Sequence, residues 1–177
     1  QQIIDMDINT PKGQKSLGYV RDAVCLFLKL YPQYGFIETN KKTPAAIDGF
    51  FFLAGGDQID YAVEIKTRNM TKEMLRNRFG NTWLVTHEKI LRGQQISDLL
   101  CIPFVGMLYL IPDKTLYTLK ITDELGKFVI DFGVENTRTQ ETINGGVAWR
   151  TNAYLPMETA KEHQWNTRQR ADYARTR

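Results

Sequence analysis

The sequence predicts an α/β protein built on a mixed β-sheet with helices on its faces. A helical stripe of apolar residues at 14–31 precedes two β-branched runs at 47–53 and 59–67, which flank a Gly-Gly turn. The run at 104–111 is almost entirely apolar, which is typical of a strand covered on both faces. Together these features give the order α-β-β-β-α-β-β, which favours a mixed sheet between helices.

The first predicted helix covers residues 14–31. Ser16 can accept a hydrogen bond from the first turn as an N-cap, and Pro32 prevents the helix from continuing. A short strand is predicted next, at residues 34–39.

The clearest prediction is a β-hairpin. If its turn is centred near Gly56, the numbers of paired residues add up to about 112, which places Asp48 opposite Glu64. Because side chains alternate along a strand, the second strand has two distinct faces. The apolar face carries Tyr61, Val63 and Ile65, and the other face carries Ala62, Glu64 and Lys66.

The remaining elements follow weaker patterns. A short basic helix or loop is predicted at 70–79, and Thr86 can begin a helix that runs to about Leu100. The other predicted segments are strands at 83–85, 116–121, 128–132 and 147–155, with a polar loop at 136–146.

Composition excludes several classes of protein. The 177 residues are 42% hydrophobic and 24% charged, as in an ordinary globular protein, and we expect one domain over residues 1–160. Apolar runs are too short for a transmembrane helix, and no signal peptide is visible, so we expect a cytoplasmic protein that is neither secreted nor in a membrane. Two cysteines and two histidines exclude a disulfide scaffold and a histidine-rich metal site.

Positive charge is concentrated in two places. Residues 161–177 carry the whole net charge of +3 and are predicted to be a basic, polar C-terminal tail. Residues 66–92 have a further excess of basic side chains, as expected of a protein that binds a polyanion such as DNA. The predicted DNA-binding residues are Arg68, Lys72, Arg76, Arg78, Lys89 and Arg92.

The paired acids of the hairpin predict a metal site. Asp48 and Glu64 would lie side by side on one face, and adjacent like charges are destabilising unless something compensates them. A hard divalent cation such as Mg²⁺ prefers carboxylate oxygens. Lys66, two residues further along the strand, could orient a water molecule and offset charge that develops on a phosphate.

This arrangement resembles the PD-(D/E)xK nuclease superfamily, in which an acid on one strand precedes an (Asp/Glu)-x-Lys on the next. Here the pattern is Asp48 followed by Glu64-Ile65-Lys66, and Ile47 stands where the namesake proline is common. The resemblance covers roughly residues 14–121 and implies a restriction-endonuclease-like core.

The resemblance also implies an activity. It indicates a DNA endonuclease that depends on Mg²⁺, with Mn²⁺ able to substitute. The resemblance extends to junction-resolving, phage-encoded and restriction-type enzymes, most of which work as homodimers, and it leaves the choice among them open. Asp48, Glu64 and the carbonyl of Ile65 would hold the metal, while Lys66 would position the attacking water.

Family members often add an acid on the first helix and a Gln or Lys on the next. Asp22 is the first candidate, with Glu38 as an alternative; for the second, Gln94 is favoured over Lys89 and Gln95.

Two other functions fit the sequence. The chain could keep the fold as a nucleic-acid-binding or assembly module without catalysis. It could also be a phage structural protein in which the motif is accidental. The intact set of Asp48, Glu64 and Lys66 favours the enzyme, because a decayed site would usually have lost one of them.

Overall fold

The structure is a computed structural model that describes residues 10–138, 147–166, 168, 171, 172 and 175. The helices are α1 (Pro11–Leu30) and α2 (His87–Leu100), and a single π-helical turn spans Met74–Arg78. The strands are β1 (Tyr34–Glu38), β2 (Gly49–Leu53), β3 (Tyr61–Arg68), β4 (Thr82–Thr86), β5 (Phe104–Leu110), β6 (Thr115–Lys120), β7 (Gly133–Arg138), β8 (Trp149–Pro156) and β9 (Lys161–Gln164). No helix in these ranges is both long and apolar enough to cross a membrane.

The strands form two sheets. The larger has the order β1-β2-β3-β5-β6-β9 and is mixed, because β3 and β5 run parallel while the other neighbours are antiparallel. The smaller sheet has the order β4-β8-β7 and is antiparallel. The predicted α/β class with a mixed sheet is therefore confirmed, while the second sheet goes beyond the prediction.

Helix α1 covers one face of the larger sheet. It begins at Pro11 rather than near Ser16, because the hydroxyl of Thr10 accepts a hydrogen bond from the Gly13 amide at 3.0 Å. Proline is also well suited to the first helical position, where its missing N–H is not needed. Ala23 and Leu26 on the helix are fully buried against apolar side chains of the sheet.

The opposite face of the larger sheet is covered by α2 and by the smaller sheet, which share one apolar core. Helix α2 approaches β5 very closely at Gly93, where a β-carbon would lie 2.1 Å from the ring of Phe104. Only glycine permits this approach, because any side chain would displace the buried aromatic ring. The protein therefore has three layers, with the larger sheet in the middle.

The register of the β2–β3 hairpin agrees with the prediction. Gly49 lies opposite Val63, so the preceding Asp48 is adjacent to Glu64. Strand β3 continues past the end of its pairing with β2, and beyond Glu64 its partner in the sheet is β5. This difference in strand length leaves an opening beside the C-terminal half of β3.

Several predictions about the second half of the chain are wrong. Residues 128–132 form no strand and contribute one isolated bridge, from Phe128 to Thr122. The strand in this part of the chain is β7, which begins at Gly133. The predicted loop 136–146 begins inside β7, and residues 139–146 lie outside the described residues. The tail does not begin at residue 161, because β9 pairs with β6. Alternating burial within four residues is too short a signal to separate this edge strand from a polar tail.

Candidate active site

Asp48 immediately precedes β2 and turns its carboxylate towards β3. Its Oδ2 accepts a hydrogen bond from the backbone amide of Ile65 at 2.7 Å, and its own amide donates to the Val63 carbonyl at 3.0 Å. The carboxylate thus satisfies a β3 amide at the point where pairing with β2 has ended. Both bonds fix Asp48 beside the opening at the end of the hairpin.

The Ile65 carbonyl faces the same opening. In an extended strand the N–H and C=O of one residue point to the same side, and the Ile65 amide points towards Asp48. The Ile65 side chain is buried on the α1 face of the sheet, which is opposite to the face that carries Glu64. One backbone oxygen is therefore directed into the opening beside Asp48.

Glu64 is a buried carboxylate, with 1% of its side chain exposed. Its Oε1 lies 3.0 Å from the ammonium nitrogen of Lys66, and its Oε2 lies 4.0 Å from that of Lys89. These are ion pairs, but within the described part of the chain neither oxygen accepts a well-aligned hydrogen bond. Burial raises the pKa of Glu64, Lys66 opposes that effect and the charge on Asp48 adds to it.

Lys89 is the residue that α2 brings to the site. Its ammonium group donates to the Ala45 carbonyl at 2.9 Å and also faces Glu64. Lys89 lies one turn before Gly93, on the side of the helix that approaches the larger sheet. Gln94 instead donates to the Gly126 carbonyl at 3.0 Å, and Gln95 is exposed. The structure thus brings together Lys89, which is the alternative, and not the favoured Gln94.

Lys41 completes the charge cluster and is not among the predicted residues. It lies in the loop between β1 and β2, and its ammonium nitrogen is 3.0 Å from Asp48 Oδ1 and 3.9 Å from Glu38 Oε1. No periodicity marks a lysine in an irregular loop, so only the folded chain reveals this interaction. Three ammonium groups consequently surround two carboxylates, which makes the site attractive to an anion.

Asp48, Ile65, Lys41, Lys66 and Lys89 border a cavity of about 440 Å³. Buried Glu64 does not line this cavity and is connected to it through its ion pairs with Lys66 and Lys89. The walls of the cavity are the β1–β2 loop, the C-terminal half of β3 and one stripe of α1 formed by Gly13, Ser16, Leu17 and Val20. Asp22 does not line the cavity, because it is two residues beyond Val20 and so projects from another side of the helix. Glu38 also lies outside the lining, and its ion pair with Lys41 connects it to the site.

The predicted DNA-binding residues separate into two groups. Arg68 and Lys89 line the cavity, and burial lowers the pKa of the Arg68 guanidinium group. The remaining four lie elsewhere. Lys72 and Arg76 both pair with Glu162 of β9, Arg78 lies over the ring of Phe79, and Arg92 pairs with Glu88 at 2.6 Å.

The donor set fits Mg²⁺. Among the described residues, no three His, Cys, Asp or Glu side chains form a cluster, which excludes a cage made only of such side chains there. Mg²⁺ sites seldom have such a cage, because the ion usually keeps several waters and binds one or two carboxylates together with substrate phosphates. Asp48 and Glu64 supply the two carboxylates. Within the described ranges the Glu64 oxygens are paired with the ammonium groups of Lys66 at 3.0 Å and Lys89 at 4.0 Å, and a cation that binds Glu64 would have to compete with these groups.

No protein-family model, curated protein or solved structure matches this chain significantly. The resemblance to the PD-(D/E)xK nucleases therefore rests on Asp48, Glu64 and Lys66 and on the elements that carry them.

Proposed function

We propose that the protein is a Mg²⁺-dependent DNA endonuclease that hydrolyses phosphodiester bonds. The observation that carries the proposal is the pair of carboxylates formed by Asp48, just before β2, and buried Glu64 on β3, with Lys66 at 3.0 Å from Glu64. A buried carboxylate without aligned donors is costly to the fold, and such costs are typical of functional sites.

The order of elements supports a restriction-endonuclease-like core. Helix α1 precedes β1, β2 and β3, and α2 precedes β5, which gives α-β-β-β-α-β when β4 is set aside. Setting β4 aside is justified because it belongs to the smaller sheet. A homodimer is part of the same proposal and rests on the resemblance alone.

In this proposal Asp48, Glu64 and the Ile65 carbonyl would hold Mg²⁺. The bound ion would supply Lewis-acid polarisation of a phosphate oxygen and a lower pKa for bound water. Lys66 would hold the attacking water and offset negative charge on the phosphate in the transition state. Arg68 and Lys89, which line the same cavity, would bind the phosphate oxygens.

The state of Glu64 links this chemistry to pH. Burial raises the pKa of its carboxyl group, so a larger fraction is protonated at mildly acidic pH than for an ordinary glutamate. A cation must displace that proton to bind, because only the carboxylate is a good ligand. We therefore expect the apparent affinity for Mg²⁺ to rise with pH through the raised pKa of Glu64.

A second candidate is a nucleic-acid-binding module without catalysis. The observation in its favour is that lysines already pair with both acids, Lys41 with Asp48 and Lys66 with Glu64. A charge cluster that is already compensated can be stable without a metal. The two candidates agree on the ligand and differ in whether phosphodiester bonds are cut.

Cleavage of a supercoiled plasmid distinguishes the two candidates. The endonuclease is expected to produce nicked and linear plasmid in Mg²⁺ and none in EDTA. Asp48→Asn at low Mg²⁺ should lose this activity, whereas Asp22→Asn should keep it, since Asp22 is an acid that does not line the cavity.

Three outcomes would overturn the nuclease proposal. They are cleavage that persists in EDTA, the absence of cleavage at any Mg²⁺ or Mn²⁺ concentration on duplex, single-stranded and branched DNA, and equal activity of Asp48→Asn and the parent protein. Binding of DNA without cleavage would favour the second candidate.

A further inference from the structure

A second cavity of about 470 Å³ adjoins the site along α1. Its lining residues on the helix are Lys12, Lys15, Ser16 and Tyr19, which recur at intervals of three, one and three residues and so form one stripe. The remaining lining residues follow or end the parallel strands: Thr67 and Asn69 at the end of β3, and Ile111 after β5. Ligands commonly bind beyond the carboxyl ends of parallel strands.

The second cavity is continuous with the first. Ser16 and Thr67 line both of them, so the surface leads from Lys12 and Lys15 to the cavity that Asp48 lines. We call this second cavity the α1 groove. A polymer that enters the site at Asp48 and Glu64 can therefore continue along the groove.

The charge of the α1 groove suits a polyanion. Lys12 and Lys15 are exposed, and no ion pair engages either of them within the described ranges. This contrasts with Lys72 and Arg76, whose charges are paired with Glu162. Unpaired ammonium groups can bind a phosphate without first losing a carboxylate partner.

Tyr19 adds a stacking surface to the groove. Part of its ring packs on the core under α1, and the side chain lines the groove together with Lys12 and Lys15. A basic groove with an aromatic ring is the usual means of binding unpaired nucleic acid, because every base has a face that can stack. The bases of a duplex already stack on one another, so a ring that stacks on a base favours an unpaired strand over a duplex.

We propose that the α1 groove binds a segment of unpaired nucleic-acid strand next to the scissile phosphate. Lys12 and Lys15 contact its phosphates and Tyr19 stacks on one base. The inference rests on the proposed function for the identity of the neighbouring site. It adds that the substrate is unpaired at that point, as in a single strand, a flap or a branched junction.

Binding of a fluorescent single-stranded oligonucleotide in EDTA tests the groove without any cleavage. Lys12→Gln/Lys15→Gln should flatten the slope of log affinity against log salt by about 1.4, at ~0.7 for each phosphate bound on a single strand. Tyr19→Leu should weaken binding roughly fivefold or more with no change of slope, since it removes stacking and no charge. Tyr19→Phe keeps the ring and should bind like the parent protein.

The charge-matched control is Lys120→Gln/Lys127→Gln. Lys120 lies opposite Val105 at the start of β5, and both lysines are exposed. This control should leave the slope unchanged. An equal change in both double variants, an unchanged slope in Lys12→Gln/Lys15→Gln, or competition by duplex as effective as by single strand would overturn the inference. Failure of the parent protein to cleave DNA would overturn the proposed function and leave these binding results standing.

Discussion

The ammonium nitrogen of Lys41 lies 3.0 Å from Asp48 Oδ1. A lysine of the protein itself is therefore paired with Asp48, which is one of the two carboxylates proposed to bind metal. The pair is partly exposed, with 25% of the Lys41 side chain and 21% of the Asp48 side chain accessible. Such pairs contribute at most about 1 kcal/mol. An entering Mg²⁺ therefore has to displace a weakly held lysine.

Lys41→Gln is expected to raise the apparent affinity for Mg²⁺ by up to about fivefold, which corresponds to roughly 1 kcal/mol of removed competition. The measurement is the Mg²⁺ concentration that gives half-maximal cleavage at saturating protein. Lys42→Gln is the control, because it removes the same charge from an exposed neighbour. A lower affinity in Lys41→Gln would show that Lys41 assists the site instead of competing for it.

Lys66→Ala and Asp48→Asn should respond differently to metal. Asp48 is proposed to bind the ion, so raising Mg²⁺ or adding Mn²⁺ should restore part of the activity of Asp48→Asn by mass action. Lys66 is proposed to act in the transition state, so its removal should cost roughly 10²-fold or more in the single-turnover rate at any metal concentration. Equal rescue of both variants in a Mg²⁺ titration would refute the role given to Lys66.

Glu64→Gln should stabilise the protein at neutral pH while abolishing cleavage. Burial raises the pKa of Glu64 in the folded chain, so folding loses stability as pH rises from the ordinary value of 4.5 through the raised one. Glutamine removes the buried charge. The melting temperature of the variant should exceed that of the parent by about 2–4 °C for each kcal/mol recovered, without Mg²⁺ at neutral pH.

This advantage of Glu64→Gln should disappear near pH 4, where Glu64 is protonated in both folded and unfolded chains. Added Mg²⁺ should raise the melting temperature of the parent protein and leave that of the variant unchanged. A variant that is less stable than the parent at every pH would show that the ion pairs with Lys66 and Lys89 outweigh the cost of burial.

His163 should make β9 sensitive to acid. The side chain is buried, and its ring nitrogens lie 3.3 Å from the Tyr31 hydroxyl and 2.9 Å from the Thr118 hydroxyl. Burial first, and then the charge of Lys161, lower the pKa of His163 below its ordinary 6.5. The contribution of His163 to the free energy of unfolding should therefore be fully present above about pH 6.5. It should fall at lower pH, where unfolding allows the imidazole to take up a proton.

Thermal melts across this pH range test the acid sensitivity. The fall in melting temperature between about pH 7.5 and pH 5.5 should be smaller in His163→Gln than in the parent protein. His87→Gln, which changes the other histidine, should retain the full fall. An identical pH profile in all three proteins would show that carboxylates alone determine the acid stability.

Two truncations should separate folding from DNA binding at the C-terminal end. Residues 167–177 contain four arginines and one aspartate and so carry the net charge of +3. Their removal should flatten the slope of log affinity against log salt for duplex binding. The expected change is ~0.9 for each phosphate that the shortened chain no longer binds. Removal of residues 161–177 should also lower the melting temperature markedly, because it deletes β9 and the buried His163 and Trp165. Equal melting temperatures would show that β9 contributes little to the fold.

The local signals in the sequence are sufficient to predict the hairpin and the helices. A Gly-Gly turn between two β-branched runs determines which residues pair, and that register alone places Asp48 beside Glu64. The faces of β3 are also predictable, because alternation along a strand is independent of the rest of the fold.

Long-range contacts are not predictable in the same way. Helical periodicity does not indicate how a helix is rotated against a sheet. Gln94 lies one turn after the apolar Ile90, and the sequence alone therefore favours it, although the folded chain brings Lys89 to the site. The deciding feature is the packing of Gly93 on the ring of Phe104, which residue patterns along one segment do not reveal. The ion pair of Lys41 with Asp48 depends on a loop conformation, and the strand pairing of β9 depends on an edge provided by β6.

The pairing of β4 with β8 has a consequence for how the chain folds. β4 is an edge strand whose partner follows much later, since Thr86 pairs with Asn152 and Thr82 with Pro156. Closing so long a loop costs chain entropy before any favourable interaction offsets it, and non-local pairing of this kind slows folding. Helix α2 follows β4 directly and shares the core of the smaller sheet. If α2 docks together with the smaller sheet, Lys89 reaches Glu64 only after the distant strand has paired, so we expect assembly of the site to be a late event in folding.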